Sequence, residues 1–302
     1  MNQPPAKNIY TGIGLAVLAA FIWSGNFIVA KALHKEIPPI GLNFYRWLIA
    51  SIIIFPFAFK QFRAEWGIVK RSWHYLFWIA LTGIALFNTF VYIGAHYTSA
   101  INLALIGTTS SPIMAVIFAR VFLKEKIGWM KLAGMVCCII GVLFLLSKGN
   151  FRNLLSLHFS TGDLWMLLAA FCFAVYNTLV KKKPAGISPI NFLFVIFSFG
   201  TLMLLPFFIL EMNHSPAVEW NSPIILSVLY LGLGASVFCF LIWNTAIGIL
   251  GAGRTALFGN LIPVFSSIEA AIILHEEFTW VHIASMVLVF AGILMANLRF
   301  TR

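Results

Sequence analysis

The segment from Ala100 to Glu125 returns 151 residues later, from Gly251 to Glu276. Pro112 falls on Pro263, Leu123 on Leu274 and Glu125 on Glu276, and beyond the segment Trp129 falls on Trp280. Earlier in the chain the same relation holds at an offset of 150. Leu18–Phe21 returns as Leu168–Phe171, Lys31 as Lys181, Pro39 as Pro189, Phe44 as Phe194, Pro56 as Pro206 and Ala85 as Ala235. One inserted residue then moves the offset to 151, which carries Gly141 onto Gly292 and Leu143 onto Leu294. The chain is therefore one unit written twice, and its fold has to satisfy both copies.

The solvent for that unit is lipid. The 302 residues are 61% hydrophobic and 10% charged, with a mean hydropathy of +0.95. No soluble domain of this size hides so much apolar surface. A helix needs about 20 apolar residues to cross the hydrocarbon core, and ten segments reach that length. They lie at roughly 11–33, 38–60, 73–96, 100–122, 128–147, 163–182, 188–211, 223–246, 251–273 and 279–298. Five belong to each repeat, 11–147 and 163–298. Because five is odd, the second copy enters the membrane from the opposite side. The expectation is an all-α integral membrane protein of ten transmembrane helices in two inverted-topology five-helix repeats.

Charge sets the orientation. The net charge of +11 is a feature of the loops, not a nucleic-acid footprint. Lys60, Arg63, Lys70, Arg71, Lys181, Lys182 and Lys183 gather on one side, whereas the other holds only Lys31, Lys35, Lys148 and Arg152. The loop 212–222 carries no Lys or Arg. The positive-inside rule then puts both termini in the cytoplasm, as expected for a multi-pass protein of the cell (inner) membrane. The first span is too long for a signal peptide, lacks a small-residue cleavage site and recurs in the second repeat. Trp66, Trp73, Trp129, Trp165, Trp220 and Trp280 lie near span ends and read as headgroup-level anchors.

Enzyme chemistry finds no foothold. Cys137, Cys138, Cys172 and Cys239 sit inside apolar spans without a CxxC, so no metal site is expected. His275–Thr279 begins like HExxH but ends on Thr. Asp163 is the sole aspartate, and no phosphate-binding GxxxxGK[ST] occurs. No catalytic residue and no cofactor are expected.

Polar and aromatic side chains deep in spans carry more information. Trp23 and Asn26 share one face of the first helix; Asn88, Tyr92 and His96, spaced by four, stripe the third. Thr108 and Ser110 precede Pro112, Asn260 precedes Pro263, Tyr176 and Asn177 lie mid-span in the sixth helix, and Trp243 lies in the eighth. Singly, such residues read as interhelical hydrogen bonds. Together, over both repeats, they read as a wet, substrate-binding cavity. Proline removes a backbone donor, so Pro112 and Pro263 should bend or break their helices. Interrupted spans at matching places in two halves point to a transporter's substrate path. Arg46 and Glu269 are the ionisable residues most clearly inside spans, and both lie outward of their span centres. They read either as a gate or coupling pair, or as a snorkelling arginine and a structural ion pair. His96 and Glu269 are the groups that can exchange a coupling proton.

The first span reads FIWSGNFIVAK from Phe21 to Lys31, the second carries NFYRWLIAS around Arg46, and the fourth runs from its proline to LKE. These motifs, in this order and doubled, resemble the drug/metabolite transporter superfamily, EamA type. The resemblance implies a basket of ten helices around a central cavity built from helices 1, 3, 4, 6, 8 and 9, with helices 5 and 10 peripheral. It implies a secondary transporter, an exporter of small metabolites such as amino acids or aromatic compounds, working by alternating access. A passive channel or facilitator, or an importer of the same fold, is the alternative. The expected partners are a small-molecule substrate and the lipid bilayer, with protons as a coupling ion, in a monomer or homodimer. The repeats are not identical at these positions: Trp23 corresponds to Phe173 and Arg46 to Ile196.

Overall fold

The computed structural model describes residues 6–97, 100–125, 127–150, 152–155, 160–273 and 279–297, and among these it holds helices and no strand. The long helices follow the expected order. The first repeat gives α1 (Ala6–Leu33), α2 (Pro39–Ala64), α3 (Trp73–Tyr97), α4 (Ala100–Phe122) and α5 (Trp129–Leu146). The second gives α6 (Thr161–Lys181), α7 (Pro189–His214), α8 (Ser222–Leu250), α9 (pieces Ala252–Ala256, Leu257–Asn260 and Leu261–Ile273) and α10 (Trp280–Asn297). Among the described residues, α1, α2, α3, α6, α7 and α8 contain stretches long and apolar enough to cross a membrane. At 18 residues each, α5 and α10 are shorter, yet they rise ~27 Å at the α-helical pitch, close to the ~30 Å core. Phe57, Leu202, Leu226 and Val287 are each more than 60% exposed. Such a surface suits hydrocarbon, not water.

The helix contacts obey one exchange rule. α2 packs on α7 and α5 on α10; the contact of α4 with α6 is matched by that of α9 with α1, and α3 with α6 by α8 with α1. Swapping the repeats leaves this pattern unchanged. Small residues set the closest approach, between α5 and α10. A Cβ on Gly134 would overlap Gly292 O, and one on Gly141 would lie 2.9 Å from Leu288 Cβ. The Cys137 and Cys138 thiols donate across the same seam to Leu288 O and Val289 O, at 3.3 and 3.4 Å.

The antiparallel pair α2 and α7 is tied at both ends. Pro39 and Pro189 open their helices where no N–H is needed. Glu211, at the end of α7, accepts from Ile40 N and Gly41 N at the start of α2 (3.2 and 2.6 Å). Glu65, just past α2, accepts from Ser188 N and Asn191 Nδ2 at the start of α7 (2.9 and 2.6 Å). Each carboxylate meets the positive end of the other helix.

Two departures from the expected helices matter. First, α3 and α8 each contain a π-helical stretch, Leu81–Leu86 and Tyr230–Phe238, at corresponding places in the repeats. A π turn holds an extra residue, and the longer stretch in α8 lies where the repeat offset grows from 150 to 151. Second, the prolines act unequally. α4 stays α-helical through Pro112, whereas α9 tightens to a 3₁₀ turn at Leu257–Asn260 just before Pro263. A proline frees only the carbonyl four residues back. That loss leaves an otherwise well-packed helix intact, but α9 is already broken up by Gly251, Gly253 and Gly259 around its first turns. Gly251 itself stands at φ +91°, the left-handed region that ends α8 and starts α9.

Candidate functional site

A cavity of about 70 Å³ lies between the repeats, lined by residues of α1, α2, α3, α4, α6, α8 and α9. α2 joins the six helices expected. Of the sequence candidates, Trp23, Asn26, Arg46, Asn88, Pro112 and Trp243 line it directly.

Its polar side is organised by Arg46, which is 1% exposed. The guanidinium Nη1 donates to Asn26 Oδ1, Asn88 Oδ1 and Tyr92 Oη at 2.9, 3.0 and 3.0 Å. Nε donates to Ser236 Oγ at 2.7 Å, and Nη2 to Ala235 O at 3.0 Å. These last two acceptors belong to the π stretch of α8. Its irregular backbone presents Ala235 O to a second donor as well, Trp23 Nε1 at 2.8 Å. Asn43, one turn before Arg46, does the same for the other π stretch, donating to Ala85 O at 3.1 Å and Thr89 Oγ1 at 2.8 Å. So α2 fastens both π stretches.

The other side is aromatic. Trp23 meets Phe173, Phe240 and Trp243 with ring centroids 5.8, 5.7 and 4.9 Å away, and Phe87 stacks on Phe173 at 4.6 Å. Trp243 Nε1 is occupied by Asn177 Oδ1 at 2.7 Å. Both indole N–H groups are thus spent on protein acceptors, and what is left to line the cavity is apolar ring.

Other candidates stand behind this lining. Asn177 orients Trp243, and Tyr176 Oη donates to Asn244 Oδ1 at 2.7 Å. Tyr92 reaches the cavity only through Arg46. Asn260 is buried, with Nδ2 donating to Leu257 O at 2.9 Å, which satisfies a carbonyl of the 3₁₀ turn. Ser110 is half-buried while its neighbour Ser111 lines the cavity. The Thr108 side chain lies outside the described residues, as does the 274–278 stretch with Glu276. His96 is exposed at the end of α3, its ring 5.9 Å from that of His34, and is not part of the cavity lining.

Arg46 and Glu269 do not form an ion pair. Glu269 Oε1 instead accepts from Ser24 Oγ at 2.6 Å, and its Oε2 is buried without a partner. The only ion pair among the described residues is Lys131–Glu125, at 3.6 Å. The physical reason is geometric: five neutral acceptors converge on the guanidinium from α1, α3 and α8, and Glu269 is engaged by Ser24 of α1 instead. Among the lining residues the sequence reading missed, Phe87, Met166 and Phe240 are ordinary core types, and Ser111 adjoins the candidate Ser110. One signal was present, since Phe173 is the repeat counterpart of Trp23.

The chain is similar to known proteins. The EamA-like transporter family matches residues 10–147 and again 160–298. An uncharacterized transporter of Archaeoglobus fulgidus is 30% identical over 87% of this chain and 89% of its own length. A protein of Escherichia coli named as a probable amino-acid metabolite efflux pump is 27% identical over 92% of each chain. A crystal structure with 16% identity covers 97% of both chains at a TM-score of 0.76, a likeness of fold alone. Two family matches, one on each repeat, leave little of the chain outside them: it belongs to the EamA-like transporter family.

Proposed function

We propose that the chain exports small metabolites, amino acids or aromatic compounds among them, by alternating access. The observation that carries this reading is the cavity between the repeats, with a polar wall, an aromatic wall and helices from both copies around it. Ligand pockets usually measure about 300–1,000 Å³, so a cavity of about 70 Å³ belongs to a closed state that must widen to admit a solute. The two repeats, 11–147 and 163–298, rock against each other about it, with both termini in the cytoplasm of an inner-membrane protein. The printed name of the Escherichia coli relative agrees with efflux. Purified protein in liposomes should show saturable counterflow for members of a metabolite panel. Flux without saturation or counterflow would instead identify a passive facilitator. Cysteines placed in 61–72 should label from the cytoplasmic face and those in 212–222 from the outer face; the reverse result ends the orientation.

Glu269 is the proposed coupling group, because its second oxygen is buried and unpartnered and a proton there would remove the buried negative charge. Glu269→Gln is expected to keep counterflow and to lose accumulation driven by a pH gradient. Normal accumulation in that variant removes Glu269 from coupling.

A further inference from the structure

Among the described residues that line it, the cavity holds a fixed positive charge with no counter-charge. Arg46 is always ionised, is buried, and donates all its hydrogen bonds to neutral groups. Its Nη2 uses one of two N–H groups, on Ala235 O. Beside it Asn88, whose Oδ1 accepts from Arg46, keeps a buried Nδ2 donor with no partner. Both residues line the cavity. Two unspent donors, one of them on a cation, flank one acceptor already in place. An isolated buried charge is costly and is stabilised by an opposite one. Of the nine acidic residues, Glu269 alone lies well inside a span, and it is held by Ser24 away from the cavity lining.

We infer that the cavity is built for a monoanionic carboxylate with an aromatic or apolar body, and against a zwitterion or cation of the same shape. The inference rests on the transport reading above and narrows its substrate. The carboxylate takes the spare Arg46 Nη2–H and Asn88 Nδ2–H, a charge-assisted pair of donors. The body lies against the faces of Trp23, Phe173, Phe240 and Trp243. An ammonium group would be drawn to those same faces by cation–π attraction, but it would share a low-dielectric space with the Arg46 guanidinium and meet no carboxylate. The charge also supplies a driving force. A membrane potential negative inside pushes an anion outward, so the potential adds to the pH gradient in driving export of such a substrate.

The test uses the intact protein in liposomes and four compounds of similar skeleton: 3-phenylpropionate, phenylalanine, 3-phenylpropanamide and 2-phenylethylamine. Counterflow of 3-phenylpropionate should exceed that of the other three by about tenfold or more. Its efflux should follow an imposed potassium diffusion potential, with an equilibrium ratio of ~50-fold per 100 mV. Arg46→Gln should erase the preference for the acid over the amide. If that variant fails to fold, the wild-type comparison decides alone. Phenylalanine or the amide moving best, or phenylpropionate flux indifferent to potential, overturns the carboxylate assignment and leaves the transport reading standing. If none of the four binds or moves, while a broader metabolite panel does, the assignment also fails. If nothing at all moves, both readings fail together.

Discussion

The two repeats share a backbone plan and divide the chemistry. In the first, α2 carries Asn43 and Arg46 on the face toward α3 and α8, and each side chain fastens a π stretch. The corresponding residues of α7 are Leu193 and Ile196, both fully buried and apolar. Asn26 corresponds to Tyr176, and in the later register Tyr92 corresponds to Trp243. The first repeat supplies the polar wall of the cavity, and the second supplies much of the aromatic wall. Duplication therefore fixed the scaffold, while divergence at a few inward positions gave the cavity two unlike sides.

Three comparisons between the repeats can break this account, and the largest effect belongs to Arg46. Arg46→Met leaves Asn26, Asn88, Tyr92 and Ser236 without its donors and Ala235 O with Trp23 Nε1 alone, and should cost about 3–5 kcal/mol of stability together with nearly all transport. Ile196→Val, its counterpart, should cost about 1 kcal/mol. Melting in detergent and flux in liposomes measure both. Equal losses at the two positions would mean that the polar cluster has no special weight.

The next effect concerns the π stretches. A Cβ on Gly83 would overlap the Tyr176 ring, so Gly83→Ala should destabilise by about 1–3 kcal/mol through overpacking. The equivalent position in α8 is Leu233, which faces outward, and Leu233→Ala should stay within about 0.5 kcal/mol. A silent Gly83→Ala would show that α6 can retreat from the π stretch. The smallest effect tests what the repeats have in common. Glu65→Gln and Glu211→Gln each weaken a helix start and should each lower stability by about 1 kcal/mol. A large inequality between these two would show that the reciprocal caps are not equivalent.

Much of this fold was legible before the structure. The offset that places Pro39 on Pro189 and Ala85 on Ala235 required two like units, and ten apolar runs divided by two required inversion. Gly134 and Gly141 announced a close helix contact because only a missing side chain permits backbone approach there. Within the site, Trp23, Asn26, Asn88 and Trp243 were legible because an amide or indole deep in lipid must have a partner. The prolines were misleading guides. Pro112 and Pro263 occupy matching places, but only the glycine-rich start of α9 yields to the lost hydrogen bond. His96 misled as well: its spacing from Asn88 and Tyr92 continues the stripe, yet the stripe leaves the cavity at the helix end, where His96 meets His34 instead.

The sequence by itself determined the solvent, the helix count, the duplication and the inversion. Those follow from hydrophobic run length, from parity and from self-similarity, all one-dimensional properties of the chain. Only the tertiary structure decided Arg46's partners. Hydropathy makes a buried arginine and a buried glutamate look like a pair, and the sequence does not say which of them other groups reach first. Packing placed Asn26, Asn88, Tyr92, Ser236 and Ala235 O around the guanidinium and gave Glu269 to Ser24. The π stretch that turns Ala235 O toward Arg46 is a distortion of hydrogen-bond register, visible in no propensity of its residues. Hydrogen-bond partners are chosen by direction and distance among residues far apart in the chain, which is why the charge left uncompensated in the cavity appears only in three dimensions.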